Sequence, residues 1–100
     1  MQKVDLVKKI SEKTNVEKVD VLVVLEAFFK LVKDSVAGGE NVYVRGFGSF
    51  IRKKRAAKFG RNIKKNTRVE IPERSIPFFK PAQEFKEKVI LSSESPENLF

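Results

Sequence analysis

The sequence predicts an α+β fold that begins with two helices, continues into a three-stranded antiparallel sheet extended as a β-ribbon arm, and ends in a short helix. Three observations carry this prediction. Apolar residues recur at helical spacing through the first 37 residues, and a strand-like alternation follows around a pair of glycines. Beyond those strands, a long cationic stretch has no apolar face that a compact core could bury. Such a stretch has to project from the body of the protein.

Composition limits the class of protein. The chain has 100 residues, 41% of them hydrophobic, with nine Phe, which is enough for one small folded domain. It contains no Cys and no His, so disulfides, thiolate metal sites and histidine-based acid–base catalysis are excluded. No apolar run approaches the length of a membrane span and no signal-peptide pattern opens the chain, so we expect a soluble protein inside the cell.

The first two elements are predicted to be helices. Leu6, Val7 and Ile10 fall on one face of a short amphipathic helix from Lys3 to about Thr14, and Asn15 is a suitable turn residue. A second helix is predicted from about Lys18 to Ala37, ended by Gly38-Gly39. Its apolar residues surround most of its circumference, and a chain of this length has too few elements to cover them. We therefore expect a second copy of the chain to supply the cover.

The strands and the last helix follow from alternation and from proline. Residues 41–45 alternate, with Val42 and Val44 on one face and Tyr43 on the other, before a tight glycine turn and a second strand. The apolar pattern stops after Ile51 and returns only after residue 70. The segment between is too long for a structureless loop in a compact domain, which predicts a β-ribbon arm at about 53–75. Pro81 suits the first turn of a last helix, which is predicted from residue 82 to about 91. The domain is predicted to be 1–91, followed by a disordered acidic tail at 92–100.

The charge is concentrated in one part of the chain. Residues 46–80 carry eleven Lys and Arg but only two Asp and Glu, and this segment supplies the whole excess of the net charge of +8. A surface tuned only for solubility would mix both signs, so the pattern indicates a binding site for nucleic-acid phosphates. The side chains that we expect to contact phosphates, and thus to fix position without reading sequence, are Lys53, Arg55, Lys58, Lys64, Lys65, Arg68, Arg74 and Lys80.

Several motifs together resemble one family. The two N-terminal helices, Gly46-Phe47-Gly48-Ser49-Phe50, the basic strand, Gly60-Arg61-Asn62 and Pro77-Phe78-Phe79-Lys80-Pro81 are similar to the bacterial HU and integration host factor family of histone-like DNA-bending proteins. The similarity covers residues 1 to about 91. It implies an intertwined homodimer, or a heterodimer with a paralogue, whose two arms embrace double-stranded DNA through the minor groove. It also implies a cytoplasmic protein of the bacterial nucleoid, with no cofactor, no metal and no small-molecule substrate.

The resemblance assigns roles to particular residues. It implies that Arg61 and Asn62 enter the minor groove, with the next residue wedged between base pairs. The family usually has Pro at that position, whereas this chain has Ile63, which is also among the apolar side chains that unstack a base step. Unlike Pro, Ile has rotatable torsions and a backbone N–H, and these differences bear on the depth and stiffness of the wedge. The implied dimer-core residues are Phe28, Phe47, Phe50 and Phe79.

The function expected from these residues is architectural. The chain would clamp duplex DNA with paired arms and bend it with low sequence specificity, in nucleoid compaction or in the assembly of nucleoprotein complexes. One alternative is a site-preferring bender like integration host factor, in which discrimination rests on the energy of bending. A more remote alternative is binding of RNA, or of anionic surfaces through the same arms. The RNA alternative arises because Arg45-Gly46-Phe47-Gly48 matches the opening of an RNA-recognition signature. Ser49, however, stands where that signature has an aromatic residue. An enzyme is not expected, because Glu70 and Glu73 are the only acids in the basic segment.

Overall fold

The α+β fold class is confirmed. The computed structural model describes residues 1–62 and 67–94, with their side chains except those of 59–62, 67–71 and 94. In chain order the elements are α1 (Lys3–Thr14), α2 (Lys18–Ala37), β1 (Val42–Val44), β2 (Gly48–Arg55), β3 (Lys58–Asn62), β4 (Thr67–Ile71), β5 (Arg74–Pro81) and α3 (Gln83–Glu94). The chain divides into two compact units, one ending at Asp34 and one beginning at Ser35. Within the described residues, no helix is long and apolar enough to cross a membrane.

The N-terminal unit contains α1 and most of α2. The backbone N–H of Gln2 donates to the Asp5 carboxylate (2.8 Å), which begins α1, and Asn15 ends it in the left-handed conformation. Val7 is buried, as the amphipathic pattern predicts. An ion pair between Lys3 Nζ and Glu26 Oε1 (3.0 Å) joins the two helices.

Helix α2 is much more apolar than a single chain can cover. Val19, Val24 and Leu31 remain 69%, 67% and 66% exposed, although all three belong to this apolar helix. Among the described side chains only Val7, Val21 and Val36 are buried hydrophobics, and no large side chain is fully buried. A protein of this size needs a larger buried core for stability. The exposure therefore agrees with the expectation of a second chain, and the dimer stays a prediction.

The end of α2 is held by two glycine-dependent hydrogen bonds and by one arginine. Gly39 lies at φ +91°, and the N–H groups of Gly39 and Glu40 donate to the carbonyls of Val36 (3.0 Å) and Ser35 (2.8 Å). This is the Schellman arrangement, in which a left-handed glycine lets the chain close the last turn. Arg52 Nη1 donates to the carbonyl of Ala37 (2.8 Å) and so satisfies another of the terminal carbonyls.

The three-stranded sheet has the order β1-β2-β5 and is antiparallel throughout. Val44 pairs with Gly48 across a three-residue turn at 45–47, in which the N–H of Phe47 donates to the Val44 carbonyl (3.0 Å). Strand β2 pairs with β5 along its whole length, from Gly48 opposite Pro81 to Arg55 opposite Arg74. Strands β3 and β4 form a separate two-stranded ladder between residues 58 and 71. The predicted glycine turn and the second strand after it are thus confirmed.

The register explains how β5 accommodates two prolines. The N–H of Arg52 donates to Asn41 Oδ1 (3.1 Å), so it points away from β5. Because directly opposed residues of an antiparallel pair share this orientation, the nitrogen of Pro77 faces the open edge of the sheet, where no donor is needed. Pro81 lies four residues further along and has the same orientation. Strand β5 is an edge strand, the place where proline is tolerated.

One face of the sheet carries an aromatic cluster formed by Phe47, Phe50, Phe79 and Phe85. Ring centroids of Phe50 and Phe79, which are cross-strand partners, lie 5.0 Å apart, and Phe47 lies 5.2 Å from Phe79 and 5.4 Å from Phe85. These separations are typical of packed aromatic pairs. The interpretation of Phe47 and Phe50 as packing residues is therefore supported, while the dimer-core assignment of this set and of Phe28 stays a prediction.

Helix α3 extends further than the sequence suggested. The prediction ended it near Leu91, but it continues through Glu94, so residues 92–94 of the predicted tail are helical. Neither Ser92 nor Ser93 breaks a helix, and the first residue that cannot continue one is Pro96. Residues 95–100 lie outside the described residues.

Candidate nucleic-acid interface

The register of the sheet places four predicted phosphate-binding residues on one face. Since successive side chains of a strand point to opposite faces, Lys53 and Arg55 of β2 share a face with Arg74 and Lys80 of β5. All four are exposed. We call this surface the basic face of the sheet; its remaining side chains are Tyr43, Ser49, Ile51, Ile76 and Phe78. The aromatic cluster occupies the opposite face.

Two arginines on the basic face are directly opposed. Arg55 and Arg74 are cross-strand partners at the end of the β2–β5 ladder, within the predicted arm. Like charges directly opposite each other destabilise a sheet. Among the described ion pairs, none neutralises either arginine. An anion bound between them would turn this repulsion into attraction.

The other two cations of β2 lie on the opposite face and already have protein partners. Arg52 donates to the Ala37 carbonyl, and Lys54 Nζ forms an ion pair with Glu73 Oε1 (2.8 Å). The alternation thus separates the run Arg52-Lys53-Lys54-Arg55 into two residues that support the fold and two that face solvent without a carboxylate. Glu73 belongs to this ion pair, and the described residues contain no group of three or more His, Cys, Asp or Glu that could hold a metal ion.

The basic face also carries exposed aromatic side chains that the sequence did not single out. Phe78 is 38% exposed and Tyr43 is 72% exposed. The ammonium of Lys53 lies over the Phe78 ring, 4.5 Å from its centroid, which is within the range of a cation–π interaction. Adjacent phenylalanines in a strand must point to opposite faces, so the Phe78-Phe79 pair was the signal that one ring would join the cations.

The β3–β4 ladder contains four of the remaining predicted contact residues, Lys58, Arg61, Asn62 and Arg68. Lys58 opens β3 and is exposed, and the register pairs Arg61 with Arg68 and Asn62 with Thr67. The side chains of Arg61, Asn62 and Arg68 lie outside the described part of the chain. Ile63, Lys64 and Lys65 belong to the segment 63–66, which is also outside it. The wedge and minor-groove assignments therefore stay predictions.

A shallow groove beside Lys80 adds two cations that the charge pattern of the sequence did not indicate. It is lined by the β1–β2 turn and by the start of α3, and its cationic residues are Arg45, Lys80 and Lys86. The backbone N–H of Ala82 donates to the Phe47 carbonyl (2.9 Å), which fixes the start of α3 beside the turn. Arg45 and Lys86 lie outside the dense cationic run, so charge density along the sequence gave no signal for them.

Comparison with known proteins finds one family model and several similar proteins. A family model described as "Bacterial DNA-binding protein" matches residues 1–90. The chain is 38% identical to DNA-binding protein HU of Thermotoga maritima over 89 residues, which cover 89% of this chain and 99% of that protein. It is 45% identical to the integration host factor subunit beta of Neisseria meningitidis over 64 residues, 64% of this chain and 62% of that subunit. The Anabaena HU–DNA cocrystal structure superposes with a TM-score of 0.84 at 39% identity, over 89% of this chain and 97% of that one.

Proposed function

The chain belongs to the bacterial DNA-binding protein family of HU and integration host factor, and from this premise we propose that it clamps duplex DNA against the basic face of its sheet and bends it with low sequence specificity. It is a DNA-binding architectural protein. We propose the clamp, the bend and the weak specificity for this chain, and we also propose that it acts in the cytoplasm, in the bacterial nucleoid, without a catalytic role.

The observation that carries the proposal is the set of uncompensated cations on one sheet face. Lys53, Arg55, Arg74 and Lys80 share this face, whereas carboxylate and carbonyl partners are found for the cations of β2 that point the other way. Such a surface attracts a polyanion, because each phosphate contact releases condensed counterions from the DNA. Contacts of this kind position the duplex and carry no sequence information.

We propose a dimer as the binding unit, either of two identical chains or with a paralogue. The exposed apolar residues of α2 and the half-exposed rings of the aromatic cluster give the second chain a large surface to cover. Two chains present two basic faces and two arms, which is what a clamp requires. If the dimer is obligate, the melting temperature should rise with protein concentration, and light scattering should give twice the mass of 11.4 kDa.

Bending is assigned to the arms. In minor-groove architectural proteins, of which this family is a known example, an apolar side chain partly unstacks a base step, and the bent duplex then meets more of the protein. Ile63 is the residue proposed for this role, with Arg61 and Asn62 in the groove beside it. The minor groove distinguishes little beyond A·T from G·C pairs, so specificity should be weak.

The test combines salt dependence with bending. If two arms neutralise about 6 to 10 phosphates, log K should fall with log[salt] at a slope of about −5 to −9. Energy transfer across an end-labelled duplex reports the bend. Arg55→Ala should make the slope shallower, whereas Lys54→Ala, which removes the same charge from the other face of the same strand, should change it much less. A slope near zero for the unmodified protein, or equal effects of the two variants, would contradict binding by the basic face.

A second candidate is site-preferring bending, favoured by the 45% identity to an integration host factor subunit. Selection from a pool of random duplexes separates the two. A general clamp should recover no common sequence beyond a preference for flexible or A·T-rich steps, while a site-preferring protein should recover one motif. Labelled duplex DNA can also be competed with duplex RNA or with anionic vesicles. If duplex RNA competes as well as unlabelled duplex DNA, binding of RNA is favoured; if anionic vesicles do, binding of anionic surfaces is favoured.

A further inference from the structure

We propose that Phe78 is a positioning residue for DNA binding, whose ring holds the ammonium of Lys53 on the basic face without neutralising it. The inference rests on the proposed function, since it concerns how one phosphate contact is prepared. It assigns a role to an aromatic residue that lies between the sheet cations and is not itself charged.

The geometry comes from the register. Lys53 is opposite Ile76 and Ile51 is opposite Phe78, so Phe78 is the diagonal neighbour of Lys53 on the same face. Diagonal neighbours are within reach when one side chain is aromatic and the other long. The contact is made: Lys53 Nζ lies 4.5 Å from the ring centroid. Phe78 remains 38% exposed and Lys53 is also exposed, so both side chains are accessible from solvent.

Two consecutive lysines show what the ring contributes. Lys54 is held on the other face by the carboxylate of Glu73, at 2.8 Å, and this partner cancels its charge. Lys53 is held by a neutral ring, whose negative face attracts the ammonium but leaves its full charge. A carboxylate beside Lys53 would repel an approaching phosphate, whereas a ring does not. The ammonium N–H groups that point away from the ring can donate to the phosphate.

Positioning matters because lysine is flexible. A free Lys side chain has four rotatable bonds, and binding a phosphate costs the entropy of fixing them. A ring that already confines the ammonium reduces this cost before DNA arrives. The role predicts that loss of the ring weakens binding only while Lys53 is present.

The experiment is a double-mutant cycle on duplex affinity at several salt concentrations, with Phe78→Leu, Lys53→Ala and the double variant. Phe78→Leu should weaken binding about 2- to 5-fold per chain and leave the salt slope unchanged, because no charge is lost. Lys53→Ala should weaken binding and make the slope shallower. Adding Phe78→Leu to Lys53→Ala should cause no further loss, whereas adding it to Arg55→Ala should cause the full loss.

Two ring replacements separate positioning from packing. Phe78→Trp should keep or raise affinity, and a multiply fluorinated phenylalanine at position 78 should weaken binding as Leu does, because it keeps the ring's shape but depletes its negative face. The fluorinated ring also serves if Phe78→Leu does not fold, which melting curves will show. Additive effects of Phe78→Leu and Lys53→Ala, or full affinity with the fluorinated ring, would overturn the inference while leaving the proposed function standing. No salt-dependent duplex binding by the unmodified protein would overturn both.

Discussion

Replacement of Gly48 by Ala should destabilise the protein through a steric clash between β2 and β5. A methyl group at this position would lie 2.6 Å from the Lys80 carbonyl oxygen, and 2.6 Å and 2.7 Å from two carbons of the Phe79 ring. Side-chain carbons essentially never approach so closely, so the neighbours would have to move. The carbonyl belongs to the paired strand, and the ring belongs to the aromatic cluster; neither can move without disturbing its own contacts.

The magnitude follows from two opposing effects. Overpacking a well-filled site costs about 1–3 kcal/mol, and obstruction by backbone places this site at the upper end. Replacing Gly by Ala also restricts the unfolded chain, which returns about 0.4–1 kcal/mol. We therefore expect a net loss of about 2 kcal/mol in the free energy of unfolding for each chain. In a domain of this size that lowers the melting temperature by about 8–16 °C.

Thermal unfolding at one fixed protein concentration, followed by circular dichroism, measures the effect. Gly39 supplies the control, since no atom lies within 4 Å of its added methyl group and only its φ of +91° opposes substitution. Asn tolerates this φ, so Gly39→Asn should be less harmful than Gly39→Ala. At Gly48 space is the obstacle, and Asn should be worse than Ala. A Gly48→Ala variant that melts within about 2 °C of the unmodified protein would refute the reasoning.

Three further predictions concern charge and bending. Arg74→Ala should raise the melting temperature at low salt, because it removes the repulsion with Arg55, and it should weaken duplex binding. A lower melting temperature in this variant would contradict the opposed-charge interpretation. Ile63→Ala should reduce the DNA bend measured by energy transfer while keeping most of the salt slope, whereas Ile63→Pro should hold or increase the bend. An unchanged bend in the Ala variant would show that Ile63 is not a wedge. The hydrogen bond to Asp34 and the charge of that carboxylate raise the pKa of Lys30 above 10.5. This exposed pair should therefore stabilise the fold below pH 10.5, and the stabilisation should be lost as the pH rises through the raised pKa of Lys30 in the folded protein. Asp34→Asn should return the Lys30 titration, followed by NMR, towards 10.5, and no change would show that the pair does not persist in solution.

Local patterns were sufficient for most of the secondary structure. Both N-terminal helices begin and end where the apolar spacing and the capping residues predicted. Asn15 and Gly39 end them because both residues tolerate the left-handed conformation that follows the last helical turn. The glycine turn before β2 was equally local. The end of α3 was misjudged by three residues, since Ser92 and Ser93 reduce helix propensity without forbidding helix.

The sequence by itself determined that a cationic segment would meet a polyanion, because charge density requires no knowledge of the fold. It also predicted that α2 would need cover, because an apolar helix with few neighbours has nowhere else to bury its side chains. These conclusions depend on composition along the chain and not on which residues meet in space.

Only the tertiary structure decided which cations remain available. Arg52 and Lys54 are as basic as Lys53 and Arg55, but the pleat turns them to the other face, where the Ala37 carbonyl and Glu73 bind them. The contact between Lys53 and Phe78 depends on the β2–β5 register, since residues 25 positions apart become diagonal neighbours only at that alignment. A slip of one residue would move every β5 side chain to the opposite face, so the identity of the site rests on strand pairing, which no local pattern encodes.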